Sequence, residues 1–321
     1  MKSTAIAHAI QGLVKYHGLK NKKLRLPYHD SISVCVGRLT TTATVEFDHK
    51  LEKDIAMING AEPNANEAAR ILAVINPLRK FAKTKINYRL ESQNSLLEGK
   101  GLGFSAAAFA AISLATASAL DLNLSPERLS EFARLGAGSA SRSLVGGFSI
   151  WYAMRKGRSY ARQLASEKRI RLAMGIIPIS SDIKTDRAHD ESVSSPFFKA
   201  RLSEVRLTLP KMLHAIESAD VDRISKIAEI ESLSLHAVTM TGKDELILMS
   251  PETIRIIRRV VALRQQHVPV WYSLDTGPSV YINTYPEHLE EVCKDIETNV
   301  GTKVLRSEVG GAARLLNEHL Y

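Results

Sequence analysis

Cysteine is scarce in this 321-residue chain, with only Cys35 and Cys293 present. Neither stands in a CxxC pair and no Cys/His spacing suits zinc, so a disulfide framework and a structural metal site are both excluded. Both thiols read as buried. No apolar run approaches the roughly 20 residues that cross a bilayer. The opening MKSTAIAHAIQGLVKYHG lacks an apolar core followed by a cleavage site, so no secretory signal is read and the cytoplasm is the expected location, with no membrane partner. Aromatic residues make up 6% of the chain, and no helix-turn-helix, zinc-finger or RNA-sheet signature occurs, which argues against a nucleic-acid partner. The densest basic run, LKNKKLRL at 19–26, reads as a solvated hairpin turn. Internal repeats and low-complexity segments are absent, as is the Gly-Lys-Ser/Thr of a Walker loop.

What is present is an ordinary globular composition, 45% apolar and 24% charged, with a formal net charge of +9. The positive surplus points to an anionic partner, and the scatter of the charges favours a phosphorylated small molecule. The length exceeds what one core usually serves, so two domains are expected, 1–170 and 171–321. Residues 31–48 alternate and are rich in Val, Ile and Thr; they read as two antiparallel strands turning near Gly37. Residues 86–94 read as a strand, 105–120 as an Ala-rich helix, and 125–138 as a helix capped by Ser125 with Pro126 in its first turn and a stop at Gly136. Strands follow near 144–153 and 172–179, with a polar hinge or hairpin at 155–170 between them. Helices near 195–217, 221–240, 251–266 and 286–298 then alternate with strands ending at Asp275, at 280–284 and near 302–306. Helices packed on one face of antiparallel strands, twice over, predict an α+β fold of two domains.

Four stretches carry candidate chemistry. In GLGFSAAA, Gly101, Gly103 and Ser105 precede a helix and suit a phosphate, through backbone N–H groups and the helix dipole; a plain helix-packing turn is the competing reading. In GAGSASRS, at 136–143, Arg142 suits a bidentate grip on a carboxylate or phosphate with Ser139 beside it, against the reading of a Ser-rich helix end. In YSLDTGPSVYI, at 272–282, Asp275 ends an apolar strand at a sharp turn, either facing a cleft or capping the turn. Finally, 13–34 gathers Lys15, Tyr16, His17, Tyr28, His29 and Asp30; a satisfied structural histidine is favoured over a general base at 17 or 29.

These stretches occur together, in order, in the GHMP kinase superfamily, and more narrowly the chain resembles the mevalonate-pathway decarboxylases. Lys15-Tyr16-His17-Gly18-Leu19 looks like the family's K-Y-W-G-K, and 26–34 looks like its L-P-x-N-x-S-L-S-V. Residues 136–147 look like G-S-G-S-A-C-R-S-L-x-G-G, and 274–280 like F-D-A-G-P-N-A. The archaeal branch is the nearest in pattern, sharing AHAIQGLVKYHG, LPYHDSISVC, MTG at 240–242 and VGGAARLL near the end. The resemblance implies a ribosomal protein S5-like N-terminal domain, a ferredoxin-like C-terminal domain, an active site between them and a homodimer. It implies loss of CO2 and of a 3-phosphate from a phosphorylated mevalonate. Asp275 would be catalytic beside the carbon that becomes cationic, with Lys15 next to it. Tyr16, Ser139, Ser141, Arg142 and, in SDIKTDRAHDESVSS, His189 would bind substrate, and Gly101, Gly103 and Ser105 phosphate.

The departures shape the expected substrate. Leu19 replaces the motif's second lysine, which suggests a 5-monophosphate rather than a 5-diphosphate. In the phosphate loop Leu96-Leu97 replaces a Phe-Pro pair, Glu98 adds a negative charge and Phe104 replaces a serine. Like charges about 4 Å apart cost on the order of several kcal/mol at intermediate dielectric. The expectation is therefore a decarboxylase of mevalonate 3,5-bisphosphate that uses no nucleotide and no metal. The alternatives are an ATP- and Mg2+-dependent decarboxylase of the 5-phosphate or 5-diphosphate, a related small-molecule kinase, and a non-catalytic relative.

Overall fold

In the computed structural model, residues 1–96, 102–180 and 185–321 are described. The chain opens with β1 (Lys2–Val14), whose alternating Ala, Ile and Val side chains are buried over most of its length. A short hairpin, β2 (Leu19–Asn21) against β3 (Leu26–Pro27), occupies the basic run, as the sequence predicts. Next comes β4 (Ser31–Phe47), a single long strand. The two strands expected here are one, because Gly37 serves a bulge and not a turn. The register against β1 shifts between His8 and Ala9, opposite residues 36–40, and β4 continues beyond. A Cβ at Gly37 would lie 2.9 Å from the carbonyl oxygen of Glu308, so close approach of another segment also calls for glycine there.

After β5 (Ile55–Ile58) comes α1 (Ala65–Phe81), a helix absent from the elements expected of the sequence. Its signal is a capping box: Asn64 accepts from the N–H groups of Asn66 and Glu67, and Glu67 accepts from that of Asn64. Then follow β6 (Tyr88–Asn94), α2 (Phe104–Ala119), α3 (Pro126–Gly136), α4 (Ala140–Val145), β7 (Phe148–Arg155) and β8 (Arg158–Ala165). Ser125 caps α3 by accepting from the Arg128 N–H, as its position implies. Among the described residues, seven strands form the first sheet, with β1-β4-β6-β5 in order, β7 joining β4 to β8, and the last strand of the chain, Arg314–Leu316, outside β1.

The second half contributes β9 (Ala173–Ile177), α5 (Thr185–Ser194), α6 (Phe198–Glu217), α7 (Val221–Met240), α8 (Pro251–Gln265), β10 (Val270–Ser273), β11 (Val280–Thr284), α9 (Pro286–Val300) and β12 (Leu305–Glu308). Its sheet runs β10-β11-β9-β12, all antiparallel. A last strand, β13 (Arg314–Leu316), returns to pair with β1. The division expected at 170/171 lies between β8 and β9.

Three apolar layers hold these elements together. Ala5, Ala7, Ala43 and Val45 of the first sheet pack under Ile71, Val74, Phe109 and Ile112 of α1 and α2. Behind that sheet, Leu13, Val34, Phe148, Met174, Ile176, Val205, Met212, Ile224 and Tyr281 form one cluster that joins both halves. A third layer puts Ile256, Val260, Val292 and Ile296 of α8 and α9 on the far side of the second sheet. Helix α7 packs against both β1 and β10 and so brings the ends of the two strands together.

Candidate active site

Where β1 ends, the chain leaves the sheet as Lys15-Tyr16-His17-Gly18. Where β10 ends, it turns through Leu274-Asp275-Thr276-Gly277. These two exits meet. The Gly12 N–H donates to both carboxylate oxygens of Asp275, at 3.0 and 3.1 Å. The Lys15 ammonium lies 3.5 Å from Asp275 Oδ1, donates to Ser273 Oγ at 2.9 Å, and also donates to the Gly12 carbonyl. From α7, Ser232 Oγ accepts the Leu274 N–H at 2.9 Å, and His236 Nε2 lies 3.1 Å from the Asp275 carbonyl oxygen. Asp275 is thus set on rigid elements, with its side chain 21% exposed to the cleft while that of Lys15 is 3% exposed.

Burial raises the Asp275 carboxyl above its ordinary value and lowers the Lys15 ammonium, and each charge partly offsets the shift of the other. Arg142, on α4, is also buried, and burial weakens its hold on its proton. Its Nε and Nη1 make no hydrogen bond among the described residues, and its guanidinium sits 5.6 Å from the centre of the Tyr16 ring. A buried cation with unspent donors implies an anion that arrives from outside. Tyr16 packs edge-on to Trp151 and stacks on His189, which accepts the Gly18 N–H at Nδ1.

Lys15, Tyr16, Arg142, His189 and Asp275 face one cleft of about 670 Å³, a volume in the usual range for a small-molecule site. Gly12, Lys15, Tyr16, His189, Asp275, Ser139 and Arg142 line one end. The wall continues past Gly103, Phe104 and Ser105 to Asn59, Asn64, Asn66 and Arg70. Gly103 caps α2 with φ +74° and no side-chain hydrogen bond, and α2 carries no acidic residue in its first turn. Phe104, Ser105 and Ala106 of its first turn line the cleft, with the Ala106 N–H donating to the Gly103 carbonyl at 2.8 Å; a helix N-terminus so placed favours an anion.

Two family models match the chain: "Diphosphomevalonate decarboxylase-like N-terminal domain" over residues 7–161, and "Mevalonate 5-diphosphate decarboxylase C-terminal domain" over residues 185–312. The phosphomevalonate decarboxylase of Haloferax volcanii is 39% identical over 99% of this chain and 98% of its own. The chain belongs to the mevalonate-pathway decarboxylases. A mevalonate 3,5-bisphosphate decarboxylase of Thermoplasma acidophilum is 24% identical over 89% of this chain and 71% of its own. A solved structure, MDDEF in complex with MVAPP, AMPPCP and magnesium, superposes with a TM-score of 0.92 at 28% identity, covering 99% of both chains. As a member of this family the protein is a carboxy-lyase acting on a phosphorylated mevalonate, and its two-domain α+β architecture is the GHMP fold of those neighbours.

The decarboxylase cleft gathers most of the residues singled out in the sequence. Lys15, Tyr16, Ser139, Arg142, His189, Gly103, Ser105 and Asp275 all line it. Ser141 does not: it is fully buried and its hydroxyl donates to the Gly138 carbonyl at 2.7 Å, so it holds the turn that presents Arg142. The segment around His189, expected as a substrate-facing loop, is helical from Thr185 to Ser194. Gly101, like Leu97 and Glu98, lies outside the described residues. His17 is buried, and burial pushes its imidazole well below the ordinary value. His29 is pushed down to about 4, with its Nδ1 on the Asp30 carbonyl. Both therefore stay neutral in the folded protein near neutral pH. Sequence reasoning missed Gly12, Ser273, Ser232 and His236, which hold the Lys15–Asp275 pair. Of these only Gly12 left a trace: a glycine inside an apolar strand marks a close approach.

Proposed function

We propose that this protein decarboxylates mevalonate 5-phosphate, using ATP with Mg2+ to turn the tertiary hydroxyl into a leaving group. The observation that carries this reading is the continuous cleft lined by Asp275 and Arg142, by the first turn of α2, and by Asn59, Asn64 and Asn66. A substrate already phosphorylated at C3 would fill only the first part. Phe104, expected to crowd a triphosphate, lines the cleft but packs partly against the middle apolar layer together with Leu96. Gly103 itself packs against β1, where a Cβ would lie 2.7 Å from the Ile10 carbonyl oxygen, and its φ of +74° also calls for glycine. These residues suit the triphosphate, and Mg2+ would be held largely by phosphate oxygens, as is usual for that ion.

In this reading the guanidinium of Arg142 takes the substrate carboxylate. Asp275 would accept the proton of the tertiary hydroxyl as that oxygen takes a phosphoryl group, pass the proton on to solvent, and as an anion again face the carbon that becomes electron-poor as phosphate departs. A fixed anion in a partly desolvated cleft favours that charge more than water would, because no solvent has to reorganise. Lys15 keeps Asp275 anionic. Leu19, in place of a second lysine, supports a single 5-phosphate, as does the likeness to the Haloferax relative.

The test is release of CO2 by purified protein under three conditions: mevalonate 5-phosphate with ATP and Mg2+, the 5-diphosphate with the same, and the 3,5-bisphosphate with no nucleotide. Turnover of the 5-phosphate with one ADP formed per CO2 supports the proposal. CO2 from the bisphosphate alone, with none from the 5-phosphate plus ATP, replaces it by the nucleotide-free reaction.

A further inference from the structure

Lys15 follows the last residue of β1 and belongs to no strand, yet its peptide group is buried. Its N–H and C=O therefore need partners. Both come from side chains more than 180 residues away. Glu231 Oε2, on α7, accepts the Lys15 N–H at 3.0 Å, and Arg201 Nη2, on α6, donates to the Lys15 carbonyl at 2.9 Å. The two side chains are joined bidentately, at 2.8 and 2.6 Å, and Arg201 Nη1 also donates to Ser234 Oγ at 3.1 Å. The pair is almost fully buried, 3% and 2% exposed.

Buried ion pairs of this kind add little net stability, and apolar residues of similar shape often serve as well or better. What this pair does that apolar residues cannot is hold both polar atoms of one peptide. That peptide carries the lysine whose ammonium reaches Ser273 and Asp275. The same helix, α7, supplies Ser232 and His236 to the backbone at 274 and 275. One element thus sets both members of the Lys15–Asp275 pair relative to each other.

We propose that Arg201 and Glu231 are positioning residues of the decarboxylation, acting through Lys15 by clamping its backbone. The proposal rests on the reading that Lys15 serves the reaction. The clamp also has an electrostatic side. The charged and titratable groups acting on Lys15 or acted on by it are Asp275 from the turn after β10, Glu231 and His236 from α7, Arg201 from α6 and His17 from its own segment. Glu231 is one of the two carboxylates that help Lys15 keep its proton against burial.

Three variants of the full chain test this, assayed with the substrate and nucleotide that support CO2 release by the wild type. The double variant Arg201→Met/Glu231→Leu removes the clamp without stranding a charge. Because it leaves the Lys15 N–H and C=O without partners, it should unfold somewhat below the wild-type temperature while still folding cooperatively, keep a KM near that of wild type, and lose roughly 100-fold in kcat, the scale expected when a reacting group is misplaced by about 1 Å. Glu231→Gln keeps an acceptor for the Lys15 N–H but drops the charge, so the alkaline limb of its kcat–pH profile should move to lower pH. Lys15→Met should lose most activity. Wild-type kcat in a folded double variant, together with an unmoved alkaline limb in Glu231→Gln, would overturn the clamp. If Lys15→Met is itself inactive while those variants are normal, the clamp alone fails. If Lys15→Met turns over normally, the underlying reading of Lys15 fails with it.

Discussion

Gly12 and Asp275 lie 263 residues apart, yet the amide of one donates to both carboxylate oxygens of the other. The contact ties the first sheet to the second at the point where the chemistry is proposed. A Cβ on Gly12 would sit 2.9 Å from Asp275 Oδ1 and 3.1 Å from Lys15 Cγ. Gly12→Ala should therefore push the carboxylate off its amide. We expect kcat to fall more than tenfold with substrate affinity largely kept, since a misplaced reacting group is costly and binding groups elsewhere are untouched. Steady-state kinetics alongside a thermal unfolding curve separate this from simple loss of fold.

Removing the charge but not the shape at the same position is the sharper test of mechanism. Asp275→Asn should still bind the phosphorylated mevalonate and should lose roughly 100- to 1,000-fold in kcat, the range seen when one preorganised electrostatic group is deleted. Calorimetric binding of substrate to the variant, paired with CO2 release, checks both halves. Turnover close to wild type would remove Asp275 from the reaction.

Arg142 makes an unusual stability prediction. Its guanidinium is buried, and Nε and Nη1 have no partner among the described residues, a state that costs free energy until an anion arrives. Arg142→Met should keep or raise the unfolding temperature of the free protein while weakening substrate binding sharply. The unfolding temperature of the wild type should rise when substrate is added, and that of the variant should not. A variant that is both less stable and equally responsive to substrate would contradict the assignment.

The pH profile depends on the same burial. The proposed reaction requires Asp275 without its proton and Lys15 with one. Burial raises the first group and lowers the second, so the kcat/KM profile should be bell-shaped, with its acid limb above the ordinary aspartate value and its alkaline limb below the ordinary lysine value. The Lys15 charge favours ionised Asp275. Lys15→Met removes that help, so the residual activity should show its acid limb at higher pH than wild type.

How much of the fold and site is legible in the sequence differs between elements. The helix at 126–136 is readable because a cap, a first-turn proline and a terminal glycine all agree locally. The helix at 65–81 escapes notice although Asn64 and Glu67 spell its start, because Pro77 and the surrounding polar residues blur its periodicity. The bulge in β4 reads as a turn because a glycine between β-branched runs suggests both. Strand β1 is hard to see because its alanines and its position invite comparison with a leader peptide, whereas their small size serves close packing under α2. In the site, Asp275, Lys15 and Arg142 stand out as charged residues among small or apolar ones. The groups that hold them do not, because a backbone amide at Gly12 and a clamp from Arg201 and Glu231 are contacts across the fold, with no spacing in the chain to announce them.

Helix α2 presents alanines at 106, 107, 110, 111, 115, 117 and 119 to its surroundings, all buried. Small side chains let its axis lie low over β1, and that height sets how deep the cleft is at the helix's open end. The interior of the domain therefore acts as a shim beneath that end of the cleft. A single methylene added deep in the core, at Ala110 for instance, would lift the helix, so the depth of the cleft there is set in part by a residue that does not line it.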